Sequence, residues 1–195
     1  AARKRFAFEE IFLIQLQNQQ RRLRHKKNFS YQLERNLDLE KKFIERFPFT
    51  PTSGQTDAIE SIIADMCGQE PMTRLLEGDV GSGKTFVAAV SAHSAIQNKS
   101  RKKTGEVFNF GRLQVAYMAP TEVLATQLFE NFVEYFTGTG VQIALMTGTG
   151  CRKFPSKINP KEWTNISKSQ LLKWIKNGEI PIVIGTHALI QKKVS

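Results

Sequence analysis

Cysteine is nearly missing from this sequence: Cys67 and Cys151 are the only two among 195 residues. They lack metal-ligand spacing, so neither a disulfide framework nor a cysteine metal cluster is expected, and a reducing compartment is. No apolar run approaches the ~20 residues that a membrane helix needs. The amino end, AARKRFAFEE, acquires acids too early for a secretory leader, so the expectation is a cytoplasmic protein without a membrane partner. Acidic residues are also in deficit, 18 against 28 Lys and Arg, which leaves a formal charge of +10. That excess suits a polyanion such as nucleic acid or an anionic surface, and equally a basic protein that is simply soluble. What is present in quantity is apolar residue, 41% of the chain. That is enough for one substantial domain with its own core plus an appendage.

Phe8, Ile11, Phe12, Leu16 and Leu23 recur at roughly helical spacing, which predicts a helix over Phe6 to Lys27. It ends in RRLRHKKN, where cations either complement the helix dipole or meet phosphates. Leu33, Leu37, Ile44 and Phe47 predict a second helix, stopped by Pro48. The stretch FPFTPTSGQT then marks a boundary. We therefore expect a helical linker arm over 1–47 and a domain proper over 48–195. Ile59, Ile62, Ile63 and Met66 predict a helix capped by Thr52 or Ser53. Beyond it strands and helices alternate: MTRLLE, the helix Lys84 to Asn98, LQVAYM, the helix Thr121 to Phe136, VQIALM, the helix Lys168 to Asn177, and IPIVIG. Such alternation predicts βαβ units, an α/β fold with a parallel sheet covered on both faces. Asn98 to Arg112 and Gly148 to Ser167 read as two long loops.

One motif carries chemistry. Gly78-Asp79-Val80-Gly81-Ser82-Gly83-Lys84-Thr85 fits G-x-x-x-x-G-K-[ST], between an expected strand and an expected helix. Glycines let backbone N–H groups turn inward, and with the positive helix end they make a nest for phosphate oxygens. Lys84 reaches β- and γ-phosphates and Thr85 can ligate Mg²⁺. Upstream, the Gln55 amide can pair bidentately with the N6/N7 edge of adenine, and Phe47 or Phe49 can offer a stacking face. ATP with Mg²⁺ is the expected cofactor.

In order along the chain stand FPFTPTSGQ, PMTRLLEGDVGSGKT, QVAYMAPTEVLATQ, LMTGT and IVIGTHALIQ. Together they resemble the ordered motifs of superfamily 2 helicases, and within them the RecG family of bacterial ATP-dependent DNA helicases that remodel stalled forks and Holliday junctions. RFAFEEIFLIQLQNQQRR is similar to the helical segment joining that family's wedge domain to its motor. The resemblance implies a RecA-like parallel sheet, preceded by an α-helical arm and incomplete because the chain is truncated. It implies a monomer that acts on branched DNA. It also implies DNA contacts at Ala119, Pro120, Thr121 and Glu122, at Thr147, Gly148 and Thr149, and at Gly185, Thr186 and His187. Small and hydroxyl residues beyond the carboxyl ends of parallel strands can indeed offer donors to phosphates without reading sequence. Thr121 and Thr149 suit a helix N-cap or a turn equally well.

A motor of this class also needs four apolar residues followed by Asp-Glu, to hold Mg²⁺ and align water. After Lys84 no apolar run ends that way; the three candidates lead into Ala-Pro-Thr, Thr-Gly-Thr and Gly-Thr-His. The expectation is part of a longer motor, inactive in hydrolysis by itself. Motors like the transcription-repair coupling translocase Mfd, an ATP-dependent DNA-binding module without enzymatic activity, and a small-molecule kinase are the competing classes. The ordered motifs and the charge disfavour the last.

Overall fold

The computed structural model describes residues 2–26, 28, 30–101 and 107–190. Its first helix, α1 (Ala2–Lys26), contains neither glycine nor proline and carries an Arg5–Glu9 ion pair of 3.0 Å one turn apart. The apolar residues expected to form its stripe, from Phe8 to Leu23, stand exposed. Lys27, the expected last residue, lies outside the described residues. α2 (Leu37–Ile44) is shorter than expected. Asn36 caps it by accepting from the Leu39 N–H at 3.1 Å. Leu33 is buried in the extended chain before it, its N–H bonded to the Met66 carbonyl, and Phe47 falls in the turn after it. α3 (Ser53–Met66) begins with a capping box: the Thr52 hydroxyl accepts from the Gln55 N–H, and the Gln55 side chain accepts from the Thr52 N–H. That settles Thr52 over Ser53. α4 (Lys84–Ile96) follows the glycine loop.

The expected strand MTRLLE does not form. Residues 71–79 run without regular structure, and Leu75 is 80% exposed. A strand exists only by pairing, and nothing among the described residues pairs with this segment. The two expected loops differ in the opposite direction. Within the first, β1 (Lys99–Arg101) and β2 (Val107–Arg112) form an antiparallel pair, while residues 102–106 lie outside the described part. Within the second, β5 (Cys151–Phe154) and β6 (Thr164–Ile166) add two antiparallel strands to the main sheet. The Arg152 guanidinium lies 4.2 Å from the centre of the Trp163 ring, joining these strands.

The main sheet has the order β3-β7-β4-β5-β6, with β3 (Val115–Met118), β7 (Ile182–Gly185) and β4 (Ile143–Met146) parallel. α5 (Glu122–Phe136) connects β3 to β4, and α6 (Lys168–Lys176) precedes β7. The inner strands alternate between two cores, as a period of two requires. Ile143, Leu145, Ile182 and Ile184 join the core under α4 and α5. Ala144, Met146 and Val183 join a smaller one with Leu171 of α6 and Leu189. Covering on both faces holds for β4 and β7 but not for β3, where Ala116 and Met118 are exposed. Rings dominate the larger core: Phe43, Phe86, Phe129, Phe132 and Phe136 are fully buried. Each contributes roughly 1.5–3 kcal/mol by burial. Phe43 and Phe47 bring α2 and its following turn into this core.

Candidate functional site

The glycine loop is shaped by what its positions exclude. Gly81 and Gly83 both have φ of +82°, a conformation that side chains with a Cβ rarely take. A Cβ at Gly83 would also strike the Gln55 amide, and one at Gly78 would lie 2.6 Å from the Ser82 hydroxyl. Gly83 serves as the N-cap of α4 without a side-chain acceptor, so the positive helix end faces the loop uncapped. Lys84 folds across: its ammonium donates to the carbonyls of Gly78 and Asp79, each at 2.6 Å, and lies 3.4 Å from Ser82 Oγ. These are bonds that a phosphate oxygen can replace. Val80 is wholly exposed and holds nothing.

Beside the loop lies a pocket of about 440 Å³ lined by Gln55, Lys84, Thr85, Phe49, Asn131 and Tyr135 among others. Of the two rings expected to offer a stacking face, only Phe49 reaches it. Phe47 is buried and packs edge-on against Phe86, with centroids 4.6 Å apart. Asn131 and Tyr135 are additions that the sequence did not announce. They stand one turn apart on α5, and only packing decides which face of a helix meets a loop. Burial, with help from Glu134, pushes the Tyr135 phenol up, so it stays protonated. The Gln55 amide is already engaged at both ends. Its oxygen accepts from the Thr52 N–H at 3.0 Å and its nitrogen donates to the Ser82 carbonyl at 2.9 Å. The uncapped helix end, the glycines and Lys84 fit a phosphate chain. For a metal the site offers the Thr85 hydroxyl, and no cluster of three His, Cys, Asp or Glu residues stands among the described residues.

The three further clusters meet at one edge of the sheet. The β3–β7–β4 register aligns Met118, Gly185 and Met146, so the residues that follow each strand become neighbours. The Ala119 N–H donates to the Gly185 carbonyl at 2.8 Å. A Cβ at Gly185 would collide with the Met146 carbonyl, so strand spacing requires glycine there. The ten residues are not equivalent. Ala119, Thr147 and Gly185 are buried and act as supports. Pro120, Thr121, Gly148, Thr149 and His187 are exposed, and Thr186 is half-buried. Thr121 caps α5 by accepting from the Leu124 N–H at 3.3 Å. Glu122 turns inward: its carboxylate accepts from the Gly148 N–H at 2.7 Å and from the Thr149 hydroxyl at 2.8 Å. α5 therefore has one end at this edge and its last turns at the loop pocket, about 14–20 Å away at 1.5 Å per residue.

Of the basic block that ends α1, Arg21 and Arg22 line a separate hollow of about 760 Å³ together with Asp65, Glu70, Pro71 and Met72. No helix among the described residues is long and apolar enough to cross a membrane.

Comparison with known proteins agrees with the ordered motifs. The family model for DEAD/DEAH box helicases matches residues 52–195. The chain is 36% identical over 193 residues to the ATP-dependent DNA helicase RecG of Pasteurella multocida, covering 99% of this chain and 24% of that protein. It is 37% identical over 191 residues to RecG of Aquifex aeolicus, covering 98% and 21%. A solved structure of RecG bound to a three-way DNA junction superposes with a TM-score of 0.74 at 34% identity, over 98% of this chain and 23% of that one. The chain thus spans about a quarter of the length of these relatives. The similarity to RecG also includes the residues before 52, which the general family model leaves out.

Proposed function

Since the chain belongs to the DEAD/DEAH box helicase family, we propose that it is the nucleotide-binding part, with its helical arm, of a RecG-type ATP-dependent helicase acting on branched DNA. The observation that carries this reading is the pairing of two sites in one chain: an uncapped, glycine-lined helix end holding Lys84, and an edge where three parallel strands present small and hydroxyl residues. The similarity to RecG through α1 and α2 supports this reading over an Mfd-like motor.

In this reading the phosphate chain of ATP lies across the loop. Lys84 gives up the carbonyls of Gly78 and Asp79 and takes β- and γ-oxygens instead. The N–H groups of the loop and of the first turn of α4 supply the remaining donors. The Thr85 hydroxyl would hold Mg²⁺, which would supply positive charge to offset that of the terminal phosphates. Gln55 meets the adenine edge while Phe49 and Tyr135 flank the base. One DNA strand passes over Pro120, Thr121, Thr149, Thr186 and His187, held by its backbone and not by its bases. The protein works as a monomer in the cytoplasm. The acid that aligns water is not among these residues, so turnover depends on the rest of the motor. Phosphate release with and without forked DNA tests this. The full-length protein should show DNA-stimulated hydrolysis, and Lys84→Ala should abolish it. Turnover by residues 1–195 alone, lost in Lys84→Ala, would refute the division of labour.

A further inference from the structure

Glu122 is the one acid in the three clusters, and a carboxylate facing a phosphate backbone would repel it. The side chain is half-buried and both of its oxygens are engaged by the protein. One oxygen holds the Gly148 N–H at 2.7 Å and the other holds the Thr149 hydroxyl at 2.8 Å. The bond from the Gly148 N–H is short for an N–H···O pair, as a carboxylate acceptor makes it. Glycine at residue 148 leaves the side chain room: a Cβ there would lie 2.7 Å from Glu122 Oε1, and the carboxylate would have to move off the Gly148 N–H. The turn that it grips is closed at its base by its own bonds. The Thr147 N–H donates to the Gly150 carbonyl at 3.0 Å, and Thr147 Oγ lies 3.1 Å from both Gly150 O and Thr149 Oγ. Two points 26 residues apart along the chain, the amino end of α5 and the turn after β4, are thereby joined across the edge. Glu122 also stands in the first turn of α5, where a negative charge suits the helix dipole.

From this arrangement we infer that Glu122 is a positioning residue for the DNA track: it clamps the 147–150 turn against α5 and makes no contact with DNA itself. The inference rests on the reading that these clusters carry a DNA strand. Three consequences follow. The Gly148 N–H, taken by Glu122, is withdrawn from the set of phosphate donors. Gly148 is required for the room that it leaves and not for a contact that it makes. Loss of this side chain should weaken DNA binding, opposite in sign to the effect expected of removing an acid that lies near phosphates.

The test uses the full-length protein and fluorescence anisotropy of a labelled forked DNA, with nucleotide affinity measured separately in the absence of DNA. Glu122→Ala and Gly148→Ala should each weaken DNA binding about tenfold, as expected for losing hydrogen bonds to a charged group. The double variant should be no weaker than either single one, because both break the same clamp. Glu122→Gln keeps an acceptor for the Gly148 N–H and a polar partner for Thr149, so it should bind like the wild type or tighter. Nucleotide affinity should be unchanged throughout. His187→Ala, an exposed position on the same track, should weaken binding independently. If Glu122→Ala binds as well as the wild type or better while His187→Ala is weakened, the clamp is overturned and the DNA track stands. If Glu122→Gln is as weak as Glu122→Ala, the charge matters and not the clamp, which also overturns the inference. If neither Glu122→Ala nor His187→Ala is weakened, the DNA reading of this edge fails.

Discussion

Gln55 is asked to do two things, and the structure allows them to be separated. Its amide oxygen closes the capping box of α3 and its amide nitrogen ties that helix to the Ser82 carbonyl of the glycine loop. Both bonds are at a partly exposed position where water can replace the lost partner, so each is worth about 1 kcal/mol or less. Gln55→Ala should therefore lower stability by about 1–2 kcal/mol. Gln55→Glu retains an acceptor for the Thr52 N–H and places a negative charge in the first turn of α3. It should keep the cap and lose only the tie, at about 1 kcal/mol or less. Recognition of adenine separates from both. Pairing with the N6/N7 edge needs an acceptor and a donor, and the carboxylate has no donor. Either substitution should then reduce the preference for ATP over GTP by about 1–3 kcal/mol, roughly 5- to 150-fold. A ratio of affinities is the right measure, because a carboxylate near the phosphates would weaken both nucleotides. Urea denaturation gives the stability change, and competition of ATP and GTP for a labelled nucleotide gives the ratio. An unchanged ratio in both variants, with Gln55→Ala still destabilised, would reduce Gln55 to a tether between helix and loop.

Two further outcomes follow from the core. His93 is buried against Phe43, the rings parallel with centroids 4.1 Å apart, and burial, aided by Arg46, lowers its pKa to about 4. The native ring stays neutral while the unfolded chain takes up a proton below its ordinary value, so stability should fall as pH drops from about 6.5 towards 4. The loss is on the order of 2 kcal/mol, discounted for incomplete shielding of the ring. His93→Phe should flatten that slope in urea titrations at pH 7 and 4.5, and an unchanged slope would assign it to other groups. Phe43→Ala should cost about 3–5 kcal/mol by opening a cavity among Phe47, His93 and Phe136. A urea midpoint equivalent to less than about 1 kcal/mol of loss would mean that α2 is not part of this core.

Local chemistry is legible in a sequence when it depends on neighbours along the chain. The glycine loop, Lys84 and Thr85 are contiguous, and Gly81 and Gly83 do take the backbone that only glycine tolerates easily. Thr52 and Gln55 stand three apart, the spacing that lets each side chain reach the other's backbone. The long helices were visible because a period of 3.6 repeats over many residues. What failed was whatever depends on a remote partner. MTRLLE has strand composition, but a strand needs a second one beside it, and none of the described residues provides it. CRKF and TNI have weak strand composition, yet β4 and each other's backbones recruit them into the sheet. Phe47 and Phe49 are alike in sequence and opposite in fate, one in the core and one at the pocket, because Phe86 and Tyr135 happen to pack there.

By itself, then, the sequence determined a glycine-rich loop that opens a helix at Lys84, parallel strands each followed by a small-residue cluster, and an excess of positive charge. Each of these rests on side-chain type and short-range spacing. Only the tertiary structure decided that Ala119, Thr147 and Gly185 are buried supports, that Asn131 and Tyr135 of a distant helix complete the pocket, and that Glu122 reaches across the edge to hold Gly148 and Thr149. The reason is the same in every case. Which face of α5 meets the glycine loop, and which turn lies under its first residue, are set by how β3, β7 and β4 align and how the phenylalanines fill the space between sheet and helices. Those distances are measured across the fold, and no spacing along the chain encodes them.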